Sequence, residues 1–144
     1  MASDVPLIAG SNLVIARRVA RQFVGDEAFD AAVASLTPEE RAAYLDSSVL
    51  SWVPVALIDA AMEKIARAGR VTAEELVIHV TRVSQEEMLH TIYRILMRVT
   101  TDEALIGRTN TFYSKVYDTG RLTSEFPAPG RANVTLHEWP GITP

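Results

Sequence analysis

Residues 84–99, SQEEMLHTIYRILMRV, form the segment around which we expect the chain to fold. Ser84 and Glu87 have the spacing of a capping box, in which each side chain accepts a hydrogen bond from a backbone amide at a helix start. Apolar residues then recur at helical spacing in a wide stripe, comprising Met88, Leu89, Ile92, Ile95, Leu96 and Val99. We therefore predict a helix that begins at Ser84 and is covered by the remaining helices.

The composition is that of one globular domain. The chain has 144 residues, of which 48% are apolar and 22% charged, and we assign residues 1–144 to a single domain. The net charge of −4 gives no general attraction to nucleic acid or anionic lipid. Cysteine is absent, which excludes disulfides and thiolate chemistry. No segment approaches the roughly 20 apolar residues of a membrane span, so we expect a soluble, cytoplasmic protein.

Start and stop signals divide residues 10–120 into about six to seven helices after a lead-in over residues 1–9. Ser11 or Asn12 is expected to cap the first helix, and Gly25 to end it. Further helix starts are expected at four sites: Asp26, Thr37-Pro38-Glu39-Glu40, Pro54 and Thr72-Ala73-Glu74-Glu75.

The period changes from helical to alternating after Gly120, where a final helix that starts at Thr100–Glu103 is expected to stop. The alternation predicts a hairpin over residues 121–139, turning at Pro127–Gly130 and followed by a tail at 140–144. The expected fold class is α+β, mainly α, with a C-terminal antiparallel β-hairpin.

An isolated hairpin is only marginally stable in water. This one must therefore pack on the helices, pair with another copy of the chain, or belong to a larger sheet. We predict a homo-oligomer or a protein partner. The expected interface comprises Leu122, Phe126, Val134, Leu136 and Trp139.

Glu75, His79, Glu86 and His90 would share one face of an uninterrupted helix, as metal ligands on one helix do. The capping signals at Thr72 and Ser84 instead predict two helices with a break near Val83. We therefore interpret the residues as two separate surface pairs of the i,i+4 type, and predict no metal site.

No catalytic signature is present: the chain has no G-x-S-x-G, no G-x-G-x-x-G and no P-loop. We assign no catalytic residue. An enzyme that uses Glu86 and His90 as an acid–base pair is a further hypothesis, and it requires both side chains in a partly buried site.

His90, Tyr93 and Met97 form a strip beside the apolar stripe of the segment at 84–99. Such a strip can line a pocket for haem or another small ligand. It can equally fill the edge of a core or an interface. Both interpretations are open, and we predict no resident cofactor.

Three segments carry a resemblance to a known family: Ser51-Trp52-Val53-Pro54, Phe112–Leu122 and Glu138-Trp139-Pro140. Their order resembles a large paralogous family of uncharacterised myxobacterial proteins. At greater distance, helices followed by a terminal sheet are similar to haem-nitric-oxide-binding and vinyl-reductase-type sensor domains. That resemblance implies a fold and a sensory or scaffolding role. It implies no ligating residue, because Tyr113-Ser114-Lys115 departs from the Tyr-x-Ser-x-Arg motif of the haem-binding branch.

The sequence thus favours a non-enzymatic regulatory or scaffolding domain that acts through self-association or a protein partner. A small-ligand or haem-type sensor is the alternative, and an enzyme with a Glu/His pair is the second alternative.

Overall fold

A computed structural model of the chain describes residues 5–88, 90 and 101–140. Among these residues the fold is mainly helical with a C-terminal hairpin, which confirms the predicted fold class. The elements are, in order, β1 (Leu7–Ala9), α1 (Gly10–Val24), α2 (Asp26–Ala34), α3 (Pro38–Tyr44), β2 (Trp52–Pro54), α4 (Val55–Ala68), α5 (Ala73–Met88), α6 (Asp102–Gly107), α7 (Thr109–Tyr113), β3 (Arg121–Ala128) and β4 (Arg131–His137). No helix in the described ranges is long and apolar enough to cross a membrane.

Helix α4 forms the centre of the core. It packs against α1, α2, α3 and α5. Its buried side chains repeat at helical spacing and are Ile58, Ala61, Met62, Ile65 and Ala66. Helix α5 contributes buried Leu76 and Val80, both of which precede Ser84. The segment at 84–99 lies largely outside the described residues, and the described core is organised around α4.

The predicted helix start at Ser84 is wrong. Helix α5 continues without interruption from Ala73 to Met88, so Ser84 is an interior residue. Its expected capping partner, Glu87, instead forms an ion pair with Arg18 of α1. Because the Glu87 carboxylate is paired with Arg18, the capping sequence at Ser84 does not start a new helix, and α5 continues through it.

The two other capping boxes are present as predicted. The Glu40 backbone amide donates to Thr37 Oγ1, and the Thr37 amide donates to Glu40 Oε2. The Thr72 amide likewise donates to Glu75 Oε2. The expected cap of α1 is wrong, because the helix begins at Gly10 with Ala9 at the cap position.

The N-terminal segment, predicted as a lead-in through residue 9, contains a strand. β1 pairs antiparallel with β2, with Ile8 opposite Val53. On its other side, the Ala9 amide donates to the Val116 carbonyl and the Leu7 amide to Asp118 Oδ1. β1 therefore links the helical core to the segment that leads into the hairpin.

The helix predicted between Thr100 and Gly120 is split. α6 ends at Gly107 and α7 begins at Thr109, with Arg108 in a turn between them. The Thr109 hydroxyl donates to the Ile106 carbonyl, which satisfies an acceptor that a continuous helix would have used. The Thr101 hydroxyl caps α6 by accepting from the Ala104 amide, and Thr100 lies outside the described residues.

Glu40 is a buried carboxylate at the start of α3. Lys64 Nζ of α4 lies 2.6 Å from its Oε2 atom. The hydrogen bond from Lys64 is the largest cause that lowers the pKa of Glu40 below its ordinary value of 4.5, and the hydrogen bond from the Thr37 amide adds to it. The folded state therefore favours the ionised carboxylate.

We expect Glu40→Gln to weaken the acid dependence of stability. Because the pKa of Glu40 is lower in the folded protein, its ionised carboxylate stabilises the fold at pH values above the unfolded pKa of 4.5. This stabilisation is lost as the pH falls through the folded pKa. Urea unfolding at a series of pH values should thus show a smaller loss of unfolding free energy below pH 4.5 in Glu40→Gln than in wild type. The control is Glu39→Gln, at an exposed position of the same helix. Parallel curves for wild type and Glu40→Gln would contradict the assignment.

Candidate interaction surface

The C-terminal hairpin has no fully buried residue in either strand. β3 and β4 pair antiparallel with Leu122 opposite Leu136 and Ser124 opposite Val134. This register confirms the predicted alternation and places the apolar side chains of both strands on one face. A bulge interrupts the register between Glu125 and Ala128.

The outer edge of β3 is covered by its own chain. The Leu122 amide donates to Asn110 Oδ1 of α7 over 2.8 Å. Nearby, the Ser124 hydroxyl donates to the Ile106 carbonyl of α6 over 3.0 Å. The two short helices α6 and α7 therefore lie along β3 and protect its edge.

The Asn110 contact also shows which backbone groups of the hairpin face the paired strand and which face outward. Because the Leu122 amide faces α7, the Leu122–Leu136 pair is a non-hydrogen-bonded pair of the ladder, and Ser124–Val134 follows by alternation. The backbone groups of Val134 and Leu136, and by the same alternation Ala132, then face away from β3. They form the open edge of β4, and in the described part of the chain β4 pairs only with β3.

Among the described residues, the open edge of β4 lacks the proline or central charge that commonly protects an edge strand. Natural edge strands carry prolines or central charges that prevent pairing with another chain. β4 reads RANVTLH and has its one Arg or Lys residue, Arg131, at the first position. On the apolar face, 44% of Phe126, 49% of Val134 and 39% of Leu136 is exposed. The edge is therefore chemically suited to accept a further strand.

The base of the hairpin is anchored by aromatic rings. Trp139 packs edge-on against Tyr117 with ring centroids 5.3 Å apart, and Tyr117 lies 5.1 Å from Tyr113. Gly120 has a φ of 80° and passes so close that a Cβ atom would lie 2.8 Å from the Tyr113 hydroxyl. Desolvation by burial is the largest cause that raises the pKa of Tyr113 to about 12. Trp139, predicted as an interface residue, is thus half-buried against its own chain.

The remaining predicted interface residues lie on the hairpin as expected. Leu122 is half-buried, whereas Phe126, Val134 and Leu136 are exposed. Sequence reasoning missed Asn110, which covers β3, and did not identify β4 as the open strand. Asparagine is a poor residue for a helix interior, and this was the one local signal that its side chain serves another contact.

The predicted pocket strip lies largely outside the described residues. Tyr93 and Met97 lie outside them, and His90 is exposed. Glu86 is exposed as well, so Glu86 and His90 do not form the partly buried polar site that the acid–base hypothesis requires.

Three of the four residues considered as metal ligands, Glu75, His79 and Glu86, lie on one face of α5, which is continuous through Met88 and ends before His90. They are nevertheless spread along the axis: the rise of a helix separates Glu75 from Glu86 by about 16 Å. Glu75 is engaged by Thr72, and the His79 ring stacks on Phe23 at 4.1 Å. Within the described ranges, no group of three or more potential ligands could hold a metal ion.

No protein-family model, curated protein or solved structure matches this chain. The resemblance to the myxobacterial family and to the sensor domains therefore remains a prediction.

Proposed function

We propose that this chain is a non-enzymatic interaction domain, regulatory or scaffolding, that associates with its partner by strand addition at the open edge of β4. Strand addition uses main-chain hydrogen bonds for affinity and alternate side chains for specificity. The observation that supports it is the direction of the hairpin's hydrogen bonds, which leaves the amides of Val134 and Leu136 facing outward.

The asymmetry of the hairpin supports the same proposal. One edge is covered by α6 and α7, whereas the other has neither a covering element nor a central charge among the described residues. The exposed side chains of Val134 and Leu136 flank that edge, so a partner strand would meet apolar surface as well as backbone groups. The partner is a second copy of the chain or another protein with a free strand.

Val134→Lys tests the proposal because it places a charge at the centre of the open edge without removing a β3–β4 hydrogen bond. We expect the tagged variant to retain at least about tenfold less of any binding partner, by analogy with the cost of a charge at an interface core. Partners are measured by quantitative mass spectrometry after affinity capture, both from source-cell extract and from co-expression with a differently tagged copy.

The matched control is Ile78→Lys, which introduces the same charge at another exposed β-branched aliphatic residue, on α5. It should retain partners as wild type does, and circular dichroism should show all three proteins folded. Equal retention by Val134→Lys and wild type, or no partner for any of the three, contradicts a role for the β4 edge.

A further inference from the structure

We infer that the partner at this edge is a second copy of the chain, paired β4 to β4 in antiparallel orientation about a two-fold axis at Val134. This inference rests on the proposed function and names its partner. It follows from three properties of β4: the register that its outward residues permit, the charges at its two ends, and its apolar alternation.

The register comes first. In the antiparallel arrangement centred on Val134, this residue faces its own counterpart, and Ala132 faces Leu136 of the second copy. All three outward residues then form hydrogen-bonded pairs, which amounts to about six ladder hydrogen bonds. If the axis moves one residue towards the turn, one outward residue lies opposite the turn and loses its partner. If the axis moves one residue the other way, one outward residue lies opposite Glu138, beyond the end of the strand. The centre at Val134 therefore satisfies the most backbone groups.

The charges at the ends of the strand are complementary in the same arrangement. Arg131 is the first residue of β4, and Glu138 directly follows the strand. Glu138 Oε1 lies 3.8 Å from Arg121 of its own hairpin, and 74% of the Glu138 side chain is exposed and accessible to a second cation. Antiparallel pairing brings Arg131 of one copy opposite His137 and next to Glu138 of the other, and the two-fold axis makes this contact twice. Parallel pairing would instead place Arg131 beside Arg131. Charge thus favours the antiparallel dimer.

The apolar alternation is also preserved. Ala132, Val134 and Leu136 lie on one face of β4, so pairing them with their counterparts continues the apolar face from one hairpin to the next. The polar side chains of Asn133 and Thr135 meet on the opposite face. The result is a single sheet in the order β3–β4–β4–β3, whose outer edges are the β3 edges already covered by α6 and α7.

The natural absence of cysteine makes a direct test available. A cysteine at position 134 faces its own counterpart across the axis at about 5.5 Å between Cα atoms, within the range that a disulfide spans. Under mild oxidation, Val134→Cys should form a disulfide dimer about tenfold faster than Ala132→Cys, because the first pair is held together and the second is not. Position 132 lies about 13 Å from its own counterpart in this register. An equimolar mixture of Ala132→Cys and Leu136→Cys should crosslink to the mixed dimer.

A second measurement does not depend on a new thiol. Arg131→Glu places a negative charge beside Glu138 of the other copy and should weaken dimerisation, measured by sedimentation velocity, about fivefold or more at low salt. Arg82→Glu makes the same charge change on α5 and should leave dimerisation unchanged.

The outcomes separate this inference from the proposed function. Equal crosslinking by Val134→Cys and Ala132→Cys, or a chain that sediments as a monomer at all concentrations, overturns the β4–β4 dimer. If Val134→Lys still loses another captured protein in that case, the edge is an interaction site whose partner is a different chain. If Val134→Lys loses nothing, the proposed function fails as well.

Discussion

Ile65→Ala is expected to lower the free energy of unfolding by about 4 kcal/mol, as is typical of a fully buried isoleucine in a core that cannot collapse around the lost atoms. Ile65 is 0% exposed and lies in α4, the helix that packs against α1, α2, α3 and α5. The measurement is urea unfolding monitored by circular dichroism.

Ile78→Ala provides the matched control for that substitution. Ile78 also lies within a helix, but 60% of it is exposed. Its replacement should change the unfolding free energy by no more than about 0.5 kcal/mol. Similar losses for Ile65→Ala and Ile78→Ala would contradict the placement of the core around α4.

Gly10→Ala is expected to destabilise the protein by about 3 kcal/mol, at the upper end of the cost of overpacking. A Cβ atom at Gly10 would lie 2.1 Å from the Ser48 carbonyl oxygen. That oxygen belongs to the backbone, so it cannot move aside as a flexible side chain would. The Gly10 amide also donates to the Ser51 carbonyl, which holds the two segments together at this distance.

Gly107→Ala is the control for the glycine substitution. A Cβ atom at Gly107 would meet nothing within 4 Å. Because alanine favours a helix by up to about 1 kcal/mol relative to glycine, this variant should be as stable as wild type or slightly more stable. A wild-type unfolding curve for Gly10→Ala would show that α1 and the segment at Ser48 are not in close contact.

Local patterns predicted much of the fold. The capping boxes at Thr37 and Thr72 are present because their partners are only three residues away. The hairpin is present because alternation of apolar and polar residues is itself the pattern of a strand with one apolar face. In each case, the interaction that decides the structure lies within the pattern.

Two of the errors arose where a residue distant in the sequence makes the deciding contact. At Ser84, the capping sequence is intact, but Arg18 of α1 takes the Glu87 carboxylate and α5 continues. The strand β1 was not predicted, because three residues carry little periodicity and its partner β2 is far away in the sequence. Neither contact produces a pattern in the neighbouring residues of the sequence from which it could be predicted.

The sequence by itself determined the helical character, the hairpin and its apolar alternation, because these depend on interactions between near neighbours. Only the tertiary structure decided which edge of the hairpin stays open. Asn110 and Ile106 form hydrogen bonds with residues of β3, and the Asn110 contact sets the direction in which the amides of Val134 and Leu136 point. The alternation of apolar and polar residues in a strand predicts which side chains share a face. Which edge of the hairpin is free to pair depends on where the rest of the chain packs.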